Sequence, residues 1–177
     1  MSPMLELSPP DILLTISEIA VAFAGFASLS TIVGRQLSGE GLVVASSRLA
    51  ILLISSLTTV LLSFAPLVLM TFSLANELIW QISAIFAISL SGATSPYTLK
   101  RVRSMRKLPD FNKPASLVMG LLILLFCIAM LIGASGVVSS FSVYLIGLLS
   151  ILCTGGVMFA LVVLSVLTGA KLGESDA

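Results

Sequence analysis

The stretch ASLVMGLLILLFCIAMLIGA, residues 115–134, contains no charged side chain. A helix needs about 20 apolar residues to cross roughly 30 Å of hydrocarbon, so this stretch has the length and composition of one membrane-spanning helix. The sequence contains four further predominantly apolar runs of at least this length, three of which include a single charged residue. We therefore predict five transmembrane helices, over residues 12–33, 43–72, 77–97, 115–134 and 141–168.

The composition of the chain excludes a water-soluble core. The 177 residues are 58% hydrophobic and 10% charged, with a mean hydropathy of +1.17, whereas soluble domains have about a quarter charged residues. The apolar runs are unbroken rather than alternating, which favours helices over a barrel. We predict an all-α polytopic membrane protein, with residues 1–177 as a single transmembrane domain. Since no Lys or Arg precedes the first run, we do not expect a cleavable signal.

Several residues are typical of helix ends. Ser8, Pro9 and Asp11 form a helix start in which Ser8 caps and Asp11 takes the place of a capping-box acid. Pro66 predicts a kink or an early end of the second span. Asn76 is predicted to cap the third span, and Trp80 to anchor that span at the membrane interface.

The positive charges predict the orientation of the chain. The predicted loop 98–114 is rich in Lys and Arg, which keeps a short loop in the cytoplasm. The N-terminus is then outside and the C-terminus inside, in an inner or plasma membrane. We expect the loop to bind anionic lipid headgroups and not nucleic acid, because it is short and has few aromatics. The headgroup candidates are Lys100, Arg101, Arg103, Arg106, Lys107 and Lys113.

Glu18 is an acid inside an apolar run, about two turns into the first span and nearer its outer end than the midplane. A charged group in hydrocarbon costs about 2.5 kcal/mol or more, so such an acid normally faces protein, water or an ion. Ala22 and Gly25 follow at helical spacing and favour close packing against another helix. The alternative is a carboxyl that only reaches outward to the headgroups.

Further polar residues suggest a pathway for ions. A hydroxyl stripe on the second span is predicted to share an interior surface with Glu18, and two polar residues of the third span to join it from the outer side. Ordinary helix contact is the alternative for the hydroxyls, and a harmless surface acid is the alternative for the outer carboxylates. The pathway candidates are Glu18, Ser55, Thr58, Thr59, Ser63, Glu77 and Gln81.

Some chemistry is disfavoured by the residues that the chain lacks. The sequence has no histidine, and we expect no metal and no cofactor. Cys127 and Cys153 are solitary and are predicted to be small core residues. No phosphate-binding glycine loop or nucleophile elbow occurs, so we do not expect an enzyme.

Two functions follow from these patterns. The first is an oligomeric ion channel or transporter that favours cations, in which repeated copies of Glu18 line the pathway of a homo-oligomer. The second is a non-catalytic scaffold or partner subunit of a larger membrane complex. It is motivated by the scarcity of charge within the membrane spans.

Overall fold

The computed structural model describes residues 8–33, 40–105, 113–138 and 140–174. Within these residues the regular structure is helical and contains no strand. The helices are α1 (Pro9–Val33), α2 (Glu40–Met70), α3 (Asn76–Met105), α4 (Lys113–Ala134) and α5 (Phe141–Glu174). All 5 are long and apolar enough to cross a membrane. The prediction of five apolar helices is therefore confirmed.

The first helix begins as its sequence predicts. The backbone N–H and the hydroxyl of Ser8 both donate to Asp11 Oδ2, at 3.3 and 2.6 Å. The N–H of Ile12 donates to the Ser8 carbonyl at 3.2 Å, which is the first helical hydrogen bond. The carboxylate also lies at the positive end of the helix dipole, which stabilises it there.

The second helix passes through Pro66 and ends at Met70, so an early end at the proline is wrong. Proline has no N–H, and the Leu62 carbonyl therefore loses the donor four residues ahead. The hydroxyl of Tyr144 on α5 donates to this carbonyl at 2.7 Å. A neighbouring helix thus satisfies the freed group, which is how membrane helices tolerate proline.

Helices α2 and α5 form the centre of the bundle. Helix α2 packs against α1, α3 and α5, and helix α5 packs against α4 and α2. In the most apolar part of each span, 50% of the residues are buried in α2 and 39% in α5, against 28% in each of the other three helices. Helices α1, α3 and α4 consequently present most of the protein's outer surface.

One end of the bundle is closed by an aromatic cluster around Trp80. This side chain is 3% exposed and lies 5.3 Å from Phe141 and 5.8 Å from Tyr144, between ring centroids. Its indole N–H donates to Asn76 Oδ1 at 3.0 Å. The predicted interfacial anchor is therefore wrong, because α5 covers the ring. The Asn76 side chain accepts this hydrogen bond, and Asn76 is the first residue of α3.

The basic segment differs from the predicted loop 98–114. Helix α3 continues to Met105, although its apolar span ends at Lys100. Residues 98–105 contain neither Gly nor Pro, and Leu, Lys, Arg and Met are good helix formers. The helix therefore continues beyond its apolar part. Helix α5 likewise continues to Glu174, past the predicted end at residue 168.

Candidate functional site

Glu18 lies in the first half of helix α1. The helix covers Pro9–Val33, and Glu18 follows Pro9 by nine residues and precedes Val33 by fifteen. At 1.5 Å per residue Glu18 lies about 4.5 Å from the midpoint of the helix, toward its N-terminus. Glu18 is therefore on the N-terminal side of the helix midpoint, as the sequence predicts.

The side chain of Glu18 is exposed on the outside of the bundle. Its neighbours along the same face of α1, one and two turns away, are also exposed. They are Leu14, Val21, Ala22 and Gly25. A Cβ atom built on Gly25 would meet no atom within 4 Å. We call these five residues, 14, 18, 21, 22 and 25, the Glu18 face.

The hydroxyls of α2 lie on the inside of the same bundle. Ser55 and Thr59 are buried and donate to carbonyls of their own helix, Leu52 at 3.0 Å and Ser55 at 2.8 Å. Thr58 and Ser63 are buried as well. The expectation that Glu18 shares an interior surface with this stripe is wrong within one protomer. The hydroxyls face protein, whereas α1 turns its acid outward.

Two buried serines of α2 have no hydrogen-bond partner in the part of the chain that the structure describes. They are Ser56, 2% exposed, and Ser63, fully buried. The spacing of seven residues puts them on one side of α2, two turns apart. Sequence reasoning missed Ser56, and its spacing from Ser63 is the signal that identifies it. Each hydroxyl is able to bind a buried water molecule.

The two polar residues of α3 lie away from Glu18. Glu77 is exposed in the first turn of the helix. The amide of Gln81 donates to the carbonyl of Ala134, the last residue of α4, at 3.2 Å. Helices α1 and α3 both pack extensively on α2 and have no extensive contact with each other. The protomer therefore does not bring these residues together with Glu18.

The basic end of α3 is exposed where it is described. Lys100 and Arg103 have exposed side chains beyond the apolar span. Arg106 and Lys107 lie outside the described residues, as do the side chains of Arg101 and Lys113.

The described residues contain no group of three potential metal ligands among His, Cys, Asp and Glu. Cys127 and Cys153 are exposed free thiols. Their predicted place in the core is wrong, because both lie on helix faces that the other helices leave uncovered.

Comparison with known proteins yields no relative: no family model, no curated protein and no solved structure matches the chain. The fold defines its class as an α-helical, membrane-embedded protein with five candidate spans. Its most distinctive site is an exposed carboxyl within one of these spans.

Proposed function

We propose that the protein is a homo-oligomeric ion channel or transporter that favours cations, with Glu18 in the pathway. The observation that supports this most directly is the exposure of Glu18 within a candidate membrane span. An ionised carboxylate there costs about 2.5–3.5 kcal/mol against lipid. Contact with water or with another subunit removes this cost.

A second copy of the chain is the partner that we propose. Ala22 and Gly25 leave the surface beside Glu18 shallow, and small residues allow membrane helices to approach closely. Around a symmetry axis each copy contributes one Glu18 at the same depth. Rings of carboxylates favour cations.

In this proposal the buried hydroxyls of α2 stabilise the protomer and do not line its surface. They belong to Ser55, Thr58, Thr59 and Ser63. Their burial favours a pathway between subunits over one through a single bundle. Glu77 is exposed in the first turn of α3. Its role in this proposal is to attract cations to the outer entrance of the pathway. The Gln81–Ala134 hydrogen bond joins α3 to α4 at the same end.

The orientation belongs to the same proposal. The end of α3 that has Lys100 and Arg103 is cytoplasmic, because Lys and Arg are retained on that side. The N-terminus is outside and the C-terminus inside, in an inner or plasma membrane. Anionic lipids bind the basic end, and the protein is not an enzyme.

A scaffold or partner subunit is the second candidate. The same Glu18 face supports it, since a different membrane protein with a basic or hydroxyl-bearing helix would also satisfy the carboxyl. The two candidates differ in what the purified protein does alone. An oligomeric channel conducts ions when it is purified alone. A scaffold copurifies with its partner protein and shows no ion flux without it.

Flux through purified protein in liposomes tests the proposal. We expect cation flux that falls in Glu18→Gln and persists in Asp11→Asn, the matched change at an exposed acid outside the proposed pathway. Correctly inserted protein without flux of any ion would move the assignment to the scaffold.

A further inference from the structure

Few oxygen atoms surround Glu18 on its own helix. The residues three and four positions away are its neighbours on the helix surface: Leu14, Thr15, Val21 and Ala22. Only Thr15 has a polar side chain, and its hydroxyl donates to the Asp11 carbonyl at 2.9 Å. A protomer thus offers an ion at this depth one carboxylate and one hydroxyl oxygen.

The helices packed against α1 add no charged partner. Helix α2 contributes Arg48, whose guanidinium donates to the Leu161 carbonyl at 3.4 Å. Helix α5 contributes Tyr144, bonded to the Leu62 carbonyl, and the exposed Cys153. Asp11 is seven residues away on α1 itself. Among the described residues, none forms an ion pair or hydrogen bond with Glu18.

One protomer supplies too few oxygen atoms to hold a dehydrated metal cation. Such a cation needs several oxygen ligands in place of its hydration shell, and it would have to draw them from several copies of Glu18 at once. A proton requires one oxygen, to which it forms a covalent O–H bond. The resulting carboxyl is neutral, so the cost of a charge in an apolar environment disappears.

We infer that the cation bound at Glu18 is the proton, and that the protein moves protons across the membrane. The carboxylate takes up one proton from water on one side and becomes a carboxyl. It releases the same proton on the other side and becomes a carboxylate again, with no other bond made or broken. This inference rests on the proposed function and specifies its substrate.

Ion flux separates the inference from the proposed function. Liposomes with wild-type protein, Glu18→Gln, Glu18→Asp or Asp11→Asn are loaded with a pH-sensitive dye, and Na⁺ and K⁺ fluxes are measured in parallel. We expect proton flux in the wild type and Asp11→Asn, its loss in Glu18→Gln and partial return in Glu18→Asp. Flux of Na⁺ or K⁺ that depends on Glu18, without proton flux, would overturn the inference and leave the channel standing. Absence of all flux would overturn both.

Chemical modification supplies a second test that needs no variant. An apolar carbodiimide adds to a protonated carboxyl and rearranges to a stable acylurea, with no other reactant. We expect mass spectrometry to locate the adduct at Glu18 and not at Glu77, with loss of proton flux in step with labelling. Preferential labelling at Glu77, or full labelling of Glu18 with unchanged proton flux, would overturn the inference.

Discussion

The hydroxyl of Tyr144 donates to the Leu62 carbonyl at 2.7 Å, and this carbonyl is the one that Pro66 deprives of a helical donor. One side chain of α5 therefore replaces the missing hydrogen bond of α2. The two central helices are joined at a point that the proline would otherwise weaken. This bond leads to the first prediction.

We expect Tyr144→Phe to lower the free energy of unfolding by about 1 kcal/mol, because the buried carbonyl loses its donor while the ring remains. Unfolding in mixed micelles measures the change. The change should shrink in a Pro66→Ala background, where residue 66 supplies its own N–H to Leu62. An equal loss in both backgrounds would show that the hydroxyl acts elsewhere.

Gly155 is predicted to be intolerant of a side chain. A Cβ there would lie 3.1 Å from Ser55 Oγ, whereas one at Gly156 would have 3.9 Å to its nearest neighbour, Phe23. We expect Gly155→Val to cost about 1–3 kcal/mol through overpacking between α2 and α5. The matched change Gly156→Val should cost less, as measured by thermal unfolding in detergent. Equal melting temperatures for the two variants would be inconsistent with this packing.

Sequence alone predicts the parts of the fold that depend on local chemistry. The apolar runs locate all five helices, and the Ser8–Asp11 pair locates the start of α1. Both features are determined within a few residues by length, composition and capping geometry.

The rotation of each helix about its axis is less accessible from the sequence. Helix α1 is apolar on every side, so periodicity does not distinguish its buried face from its exposed one, and Glu18 was expected inside. Trp80 was expected at the interface for a similar reason. The cluster that covers it depends on Phe141 and Tyr144, more than sixty residues away in the chain.

The Glu18 face is predicted to bind a second copy, and Gly25 tests this. Gly25 and Gly120 both have open space around them in the protomer. We therefore expect Gly25→Leu and Gly120→Leu to fold alike, as judged by helix content. Only Gly25→Leu should reduce the oligomer mass measured by light scattering, because it obstructs close approach of α1. Unchanged mass in Gly25→Leu would remove this face from the subunit contact.

The orientation predicts which positions react from outside the cell. In a background with Cys127→Ala and Cys153→Ala, we expect Ser73→Cys and Ser135→Cys to react with a membrane-impermeant thiol reagent on intact cells. Both positions are exposed and lie at the end of the bundle opposite Arg103. Ser46→Cys, at the other end, should react only after permeabilisation. The reverse pattern would invert the proposed topology.

The central claim is that a carboxylate at position 18 lies in the cation pathway, and chemical restoration of that carboxylate tests it most directly. Glu18→Cys in the background with Cys127→Ala and Cys153→Ala removes the acid, and we expect cation flux in liposomes to fall. A thiol reagent that attaches a carboxylate should then restore flux, whereas one that attaches a methyl group should not. Complete modification by the carboxylate reagent without recovery of flux, or undiminished flux in the variant itself, would contradict the account.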